Sequence, residues 1–171
     1  MDHRIEVGRA VERYMAENGF TREDYTAKTV MLFAGPLSFR VPNPPARQKV
    51  VPLHDIHHVV TGYGTDVIGE AEQATWELRA GCPSPIAIAL NSLAMLSGFF
   101  LSPRRVIRAF LSAKEAETLY GSRINEEAAN VMTVAELRRR LGVPEDGVAN
   151  KSERRLHSHA PKMAFSDRVA S

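Results

Sequence analysis

Pro52-Leu53-His54-Asp55-Ile56-His57-His58-Val59-Val60, followed by Gly62-Tyr63-Gly64-Thr65 and then Glu70, is the stretch whose reading decides the fold. Proline is favoured in the first helical turn, so Pro52 predicts a helix start. At about 100° per residue, His54 and His58 lie some 40° apart on one face, one turn above the other. Two imidazoles so spaced are a ready-made ligand pair for a divalent cation. The glycines predict a turn into a second helix from about Thr65 or Asp66 to Ala80, closed by Gly81. Glu70 then stands where a carboxylate can complete the set, with Asp55 beside the pair. Four polar groups in an apolar setting are costly without a shared partner, so His54, Asp55, His58 and Glu70 are the candidate metal ligands. His57 lies about 60° from His54 and reads as a boundary residue or as a group beside the ligands. Asp55 and His57 are the candidate catalytic groups. A mixed nitrogen and oxygen donor set suits zinc first, with iron, manganese or magnesium as alternatives.

Working outward, Ile5, Val7, Val11, Tyr14 and Met15 recur near helical spacing ahead of Gly19, which predicts a first helix over about 2–18. Thr21 and Asp24 suggest the start of a second helix running to about Ala34. The run Val41-Pro42-Asn43-Pro44-Pro45 cannot be regular helix. Ser84-Pro85 and Ser102-Pro103 each read as a capping serine with proline at the first helical position. Thr133-Val134-Ala135-Glu136 is a capping box opening a last helix through Leu141, ended by Gly142 and Pro144. No stretch shows β alternation. The expectation is an all-α, single-domain bundle of about six to seven helices over 1–145, with a polar, disordered tail over 146–171. His157 and His159 fall in that tail and read as solvated.

Between Arg79 and Arg104 there is no charged residue. The helix from Pro85 to Leu101 only reaches the lower limit for crossing a bilayer, and Asn91, Ser92 and Ser97 weaken that reading. A helix apolar all round is usually buried, so the core of the bundle is the leading expectation; the wall of a lipid cavity, or a helix dipping into a membrane surface, comes next. Arg104, Arg105 and Arg108 follow at a helix start, where positive charge is unfavourable. They are the candidate lipid- or anion-binding residues, and Arg104 and Arg108 share a face.

The 171 residues suffice for one domain with a substantial core, and a formal charge of +2 gives no argument for nucleic-acid binding. The single cysteine, Cys82, excludes an internal disulfide and a thiolate-rich metal site, and no catalytic role is assigned to it. The first residues have neither the apolar core of a secretory signal nor the acid-poor character of a transit peptide, so a cytoplasmic location is expected.

The pattern His54-Asp55-x-x-His58, eleven residues, Glu70 resembles the signature of the coenzyme Q biosynthesis protein 4 family. The segment Gly62–Glu70 is similar to the family's connection between its ligand elements, and Glu136–Val143 is similar to its last helix. The resemblance spans roughly 53–143. It implies an all-helical fold, a divalent metal held by His54, Asp55, His58 and Glu70, and peripheral association with the inner membrane. It further implies a polyprenylated quinone precursor or isoprenoid lipid as ligand, and other quinone-biosynthesis proteins and a second copy of the chain as partners. The activity implied is removal of the C1 carboxyl of a prenylated benzoate with hydroxylation there. Two other classes fit the motif: a lipid-binding scaffold with a structural metal, and a hydrolase, since H-D-x-x-H is one methylene shorter than the H-E-x-x-H of zinc proteases.

Overall fold

The computed structural model describes residues 4–19, 21–34 and 37–150, with residues 31–34 and 37–39 by backbone alone. Among these, eight helices and one two-stranded antiparallel sheet form an all-α domain. The tail from 151 onward, with His157 and His159, lies outside the described residues.

α1 (Val7–Asn18) ends where expected, at Gly19 in the left-handed region with φ 77°. α2 (Glu23–Thr26) is a single turn rather than the long helix anticipated. The chain instead forms a hairpin of β1 (Thr29–Ala34) and β2 (Leu37–Pro42), with Thr29 opposite Pro42 and Val30 opposite Val41. The β-branched Thr29, Val30 and Val41 favour an extended backbone. Asn43 closes the base of the hairpin: its amide donates to the carbonyls of Tyr25 at 3.1 Å and Ala27 at 2.8 Å.

α3 (Pro45–Thr61) also departs from expectation, because Pro45 rather than Pro52 occupies its first turn and Pro52 lies inside the helix. Proline has no N–H, so the Gln48 carbonyl loses its intrahelical donor there. The C-terminal half of α3 is nonetheless buried throughout, from Asp55 to Thr61. Arg138, 1% exposed, holds its far end: it donates to the carbonyls of Val60 at 2.7 Å and Val59 at 3.3 Å. A cation over the last carbonyls of a helix meets both their hydrogen-bonding need and the helix dipole.

α4 (Val67–Ala80) starts at Asp66, whose carboxylate accepts from the N–H groups of Ile68 and Gly69. α5 (Pro85–Leu101) is capped by Ser84. α6 (Pro103–Ser112) begins at Ser102, whose side chain makes no cap bond. α7 (Glu126–Val131) was not anticipated; Asn125 caps it at 2.9 Å. α8 (Val134–Arg140) opens with the anticipated bond from the Glu136 N–H to the Thr133 hydroxyl, 3.2 Å. The core gathers Val7, Val11 and Met15 of α1, Ile56, Val59 and Val60 of α3, Trp76 of α4, and Val134 and Leu137 of α8. Residues 147–149 belong to this body, since Val148 and Ala149 donate to the Thr61 carbonyl at 2.9 and 3.1 Å.

α5 corrects the leading sequence reading. It packs on α4 with Ala87, Asn91 and Gly98 buried and Ile86, Ala94 and Met95 half-buried, and leaves its other large apolar side chains exposed. Leu93 is 65% exposed, Phe100 84% and Leu101 63%, and Phe110 and Leu111 of α6 extend the same character. No helix among the described residues is long and apolar enough to cross a membrane.

Candidate metal centre

α3 and α4 meet at a turn whose glycines are required by the packing. Gly62 takes φ 82°, and a Cβ on Gly69 would sit 2.4 Å from the Gly64 carbonyl oxygen. That close approach brings the first turn of α4, with Glu70, against the face of α3 that carries His54 and His58.

Three donors converge. His54 Nε2 lies 3.1 Å from His58 Nε2 and 3.4 Å from one Glu70 oxygen, and His58 Nε2 lies 3.4 Å from the other. A tetrahedral ion with bonds of ~2.0–2.1 Å to nitrogen and oxygen holds its ligands about 3.3 Å apart. The spacing therefore matches the edges of a coordination polyhedron. The protonation pattern agrees. His54 Nδ1 bonds a Glu77 oxygen at 2.8 Å, and His58 Nδ1 bonds the Tyr63 carbonyl at 3.2 Å. An acceptor on Nδ1 puts the proton of a neutral ring there and leaves its Nε2 as the lone pair. At this distance the two Nε2 atoms share a proton carried by His54, the place that a divalent cation would take. The Tyr14 ring stacks on His58 at 5.4 Å between centroids.

The electrostatics favour positive charge. Burial alone would push His54 down, but Glu77 and then Glu70 overcome it and hold His54 well above the ordinary imidazole value. Burial would raise Glu70, yet His58 and His54 bring it down to about 2. The site is not sealed: the side chains of His54 and Glu70 keep 21% and 15% of their exposure, while His58 keeps none.

Asp55 is turned elsewhere. One of its oxygens accepts from the Tyr25 hydroxyl at 2.6 Å, and its carboxylate is not among the converging donors. Burial raises its pKa above the usual carboxylate range, against the pull of His54 and the Tyr25 bond. His57 is fully buried, with Nδ1 on Glu77 at 2.7 Å and Nε2 accepting the Leu119 N–H at 2.9 Å. Both ring nitrogens are thus occupied in the neutral form, and burial lowers its pKa. Of the two candidate catalytic groups, Asp55 borders the site, while His57 is held in the core behind it.

Glu77 was missed by the sequence reading. It accepts from His54, His57, Asn91 Nδ2 at 2.7 Å and the Tyr120 hydroxyl at 3.2 Å. A signal existed: Glu70 and Glu77 are two turns apart and share a face of α4. Tyr25 had no such signal, since its approach to Asp55 depends on the hairpin.

The arginine cluster separates. Arg105 turns inward onto Glu72 of α4, with Nε 2.9 Å from one carboxylate oxygen and Nη2 at the other. Arg104 and Arg108 stay on the exposed side of α6. Cys82 is half-buried between α4 and α5, and burial raises its thiol to about 11. The sequence matches no protein-family model, and a comparison with curated proteins returned no match.

Proposed function

We propose that this protein binds a divalent metal through His54, His58 and Glu70 and acts on a polyprenylated aromatic quinone precursor at a membrane surface, in the manner expected of the coenzyme Q biosynthesis protein 4 family. The observation that carries the reading is the convergence of two imidazole Nε2 atoms and a carboxylate at ligand–ligand spacing. Three protein donors leave coordination positions for substrate, which favours a reactive site over a saturated structural ion. When bound, the ion would serve as a Lewis acid toward the carboxylate or phenolate of the ring.

The protein's own groups frame that chemistry. The Tyr25 hydroxyl donates to Asp55 beside the donor set, and burial raises the Asp55 carboxyl above its ordinary range. Exchange of a ring carboxyl for hydroxyl balances as a two-electron oxidation: the ring carboxylic acid, water and dioxygen give the phenol, carbon dioxide and hydrogen peroxide. Zinc has no redox chemistry, so that outcome calls for iron or manganese, whereas zinc suits decarboxylation alone. The exposed apolar side chains of α5 and α6, beside Arg104 and Arg108, support a lipid environment for the prenyl chain.

Elemental analysis after dialysis against a weak chelator tests the metal half. His54→Ala, His58→Ala and Glu70→Gln should each lose the ion that the wild type retains, while His57→Gln retains it. Retention by His58→Ala would overturn the assignment. Flotation with anionic vesicles tests the lipid half: Leu93→Asp with Phe100→Asp should stay with the soluble fraction, and equal flotation of variant and wild type would remove the membrane from the proposal.

A further inference from the structure

We infer that Glu77 is a positioning residue for the metal set: its Oε1 accepts the Nδ1–H of His54, turning that ring's Nε2 toward His58 and Glu70, and accepts the Nδ1–H of His57, whose Nε2 is held by the Leu119 N–H away from the ion. The inference rests on the metal reading above and extends it to a residue outside the motif.

Three observations lead to it. First, Glu77 is fully buried, and a lone carboxylate in such a place is costly unless several donors surround it. Two imidazoles meet Oε1, at 2.8 and 2.7 Å, while Asn91 and Tyr120 meet Oε2. Second, the tautomers leave little freedom. His57 Nε2 already accepts the Leu119 N–H, so its proton belongs on Nδ1 against Glu77. His54 Nδ1 meets the same carboxylate oxygen at 2.8 Å, and a carboxylate only accepts, so a proton belongs on that Nδ1 too. One carboxylate oxygen therefore receives both protons; the Leu119 N–H occupies the remaining nitrogen of His57, and the remaining nitrogen of His54 is the one turned to the ion. A carboxylate on the remote nitrogen also makes the imidazole a stronger donor to metal. Third, Asn91 is the buried polar anchor of α5 on this network, and it fixes the other oxygen of Glu77. The orientation of the His54 ring is thereby tied to the packing of α5 on α4.

A glutamine at 77 has the size to stay in place but only one acceptor oxygen and no charge. If that oxygen serves the imidazoles, its amide nitrogen faces the donors of Asn91 and Tyr120.

The test uses the full chain, stripped of metal and titrated with Co(II) and Zn(II) against a chromophoric chelator. The tautomers of His54 and His57 are read from imidazole nitrogen resonances. Glu77→Gln should bind both ions 10–100-fold more weakly, about what loss of such a partner costs elsewhere, with an altered Co(II) visible band. His57→Gln removes a partner of Glu77 but no ligand, and should bind close to the wild type. If Glu77→Gln does not fold, Asn91→Ala replaces it, with an expected loss of about fivefold, the scale of one hydrogen bond. Wild-type affinity in Glu77→Gln or Asn91→Ala, or an equal loss in Glu77→Gln and His57→Gln, overturns the positioning role. A wild type that binds neither ion overturns the metal reading itself, which is a separate outcome.

Discussion

His54, His58 and Glu70 were legible because the chemistry needed only helical periodicity and one turn. A ring one turn along a helix lands above its neighbour whatever the rest of the chain does. Asp55 shows the limit of that logic. Its place in the motif says nothing about Tyr25, which arrives from α2 and takes its carboxylate. Glu77 was hidden because a glutamate in the second half of a helix ordinarily faces water. Two residues at this scale give direct expectations. Cys82 has its thiol raised to about 11 by burial and by the Glu77 charge. Below that value the neutral thiol dominates, so at pH 8 only about one molecule in a thousand carries the reactive thiolate. Iodoacetamide labelling of the folded protein should be far slower than that of a free thiol and should climb steadily toward pH 11; fast labelling at pH 8 would contradict the burial. Arg138 donates to the Val59 and Val60 carbonyls and to Glu145. Arg138→Met leaves these acceptors stranded in the interior, and denaturant unfolding should show a loss of at least about 3 kcal/mol.

Among the elements, the helices with capping residues and a glycine stop were read closely from the sequence, because Asp66, Ser84, Thr133, Gly19 and Gly81 act through bonds within a turn. The hairpin and α5 were not, because their states are set by what lies across from them. Thr29 to Pro42 becomes a ladder only once both halves pair. α5 reads as a core helix by composition, yet only one side of it meets the protein, and that contact depends on Gly98. A Cβ there would lie 2.1 Å from the Ala71 Cβ. Gly98→Ala should therefore cost about 1–3 kcal/mol by overpacking, and the double change Gly98→Ala with Ala71→Gly should recover part of it. A thermal melt in which the single variant matches the wild type would mean that α5 does not sit so close to α4.

Across the whole molecule, the candidate ion would clasp α3 to α4, the helix against which α5 and α6 pack. Chelation should then reduce the stability of the entire domain rather than loosen one loop. At a free-ion concentration about a hundredfold above the dissociation constant, the ion contributes about 2.7 kcal/mol. Chelator should lower the melting temperature in one cooperative step, and an unchanged melt would mean that the helices need no ion to stay together. The hydrophobic interior gathers residues of α1, α3, α7 and α8 with Trp76 of α4 and Ala109 of α6, while the exposed apolar side chains gather on α5 and α6. The α3–α4 junction with its polar cluster stands between a finished core and an uncovered flank.

The contact of Gly69 with the Gly64 carbonyl makes the connection between α3 and α4 a fixed gauge rather than a slack tether. One residue inserted between Gly64 and Glu70 would rotate Glu70 about 100° around its axis and displace it about 1.5 Å along it, swinging the carboxylate out of reach of both imidazoles. Length in this segment is therefore as much a component of the site as the side chains it aligns.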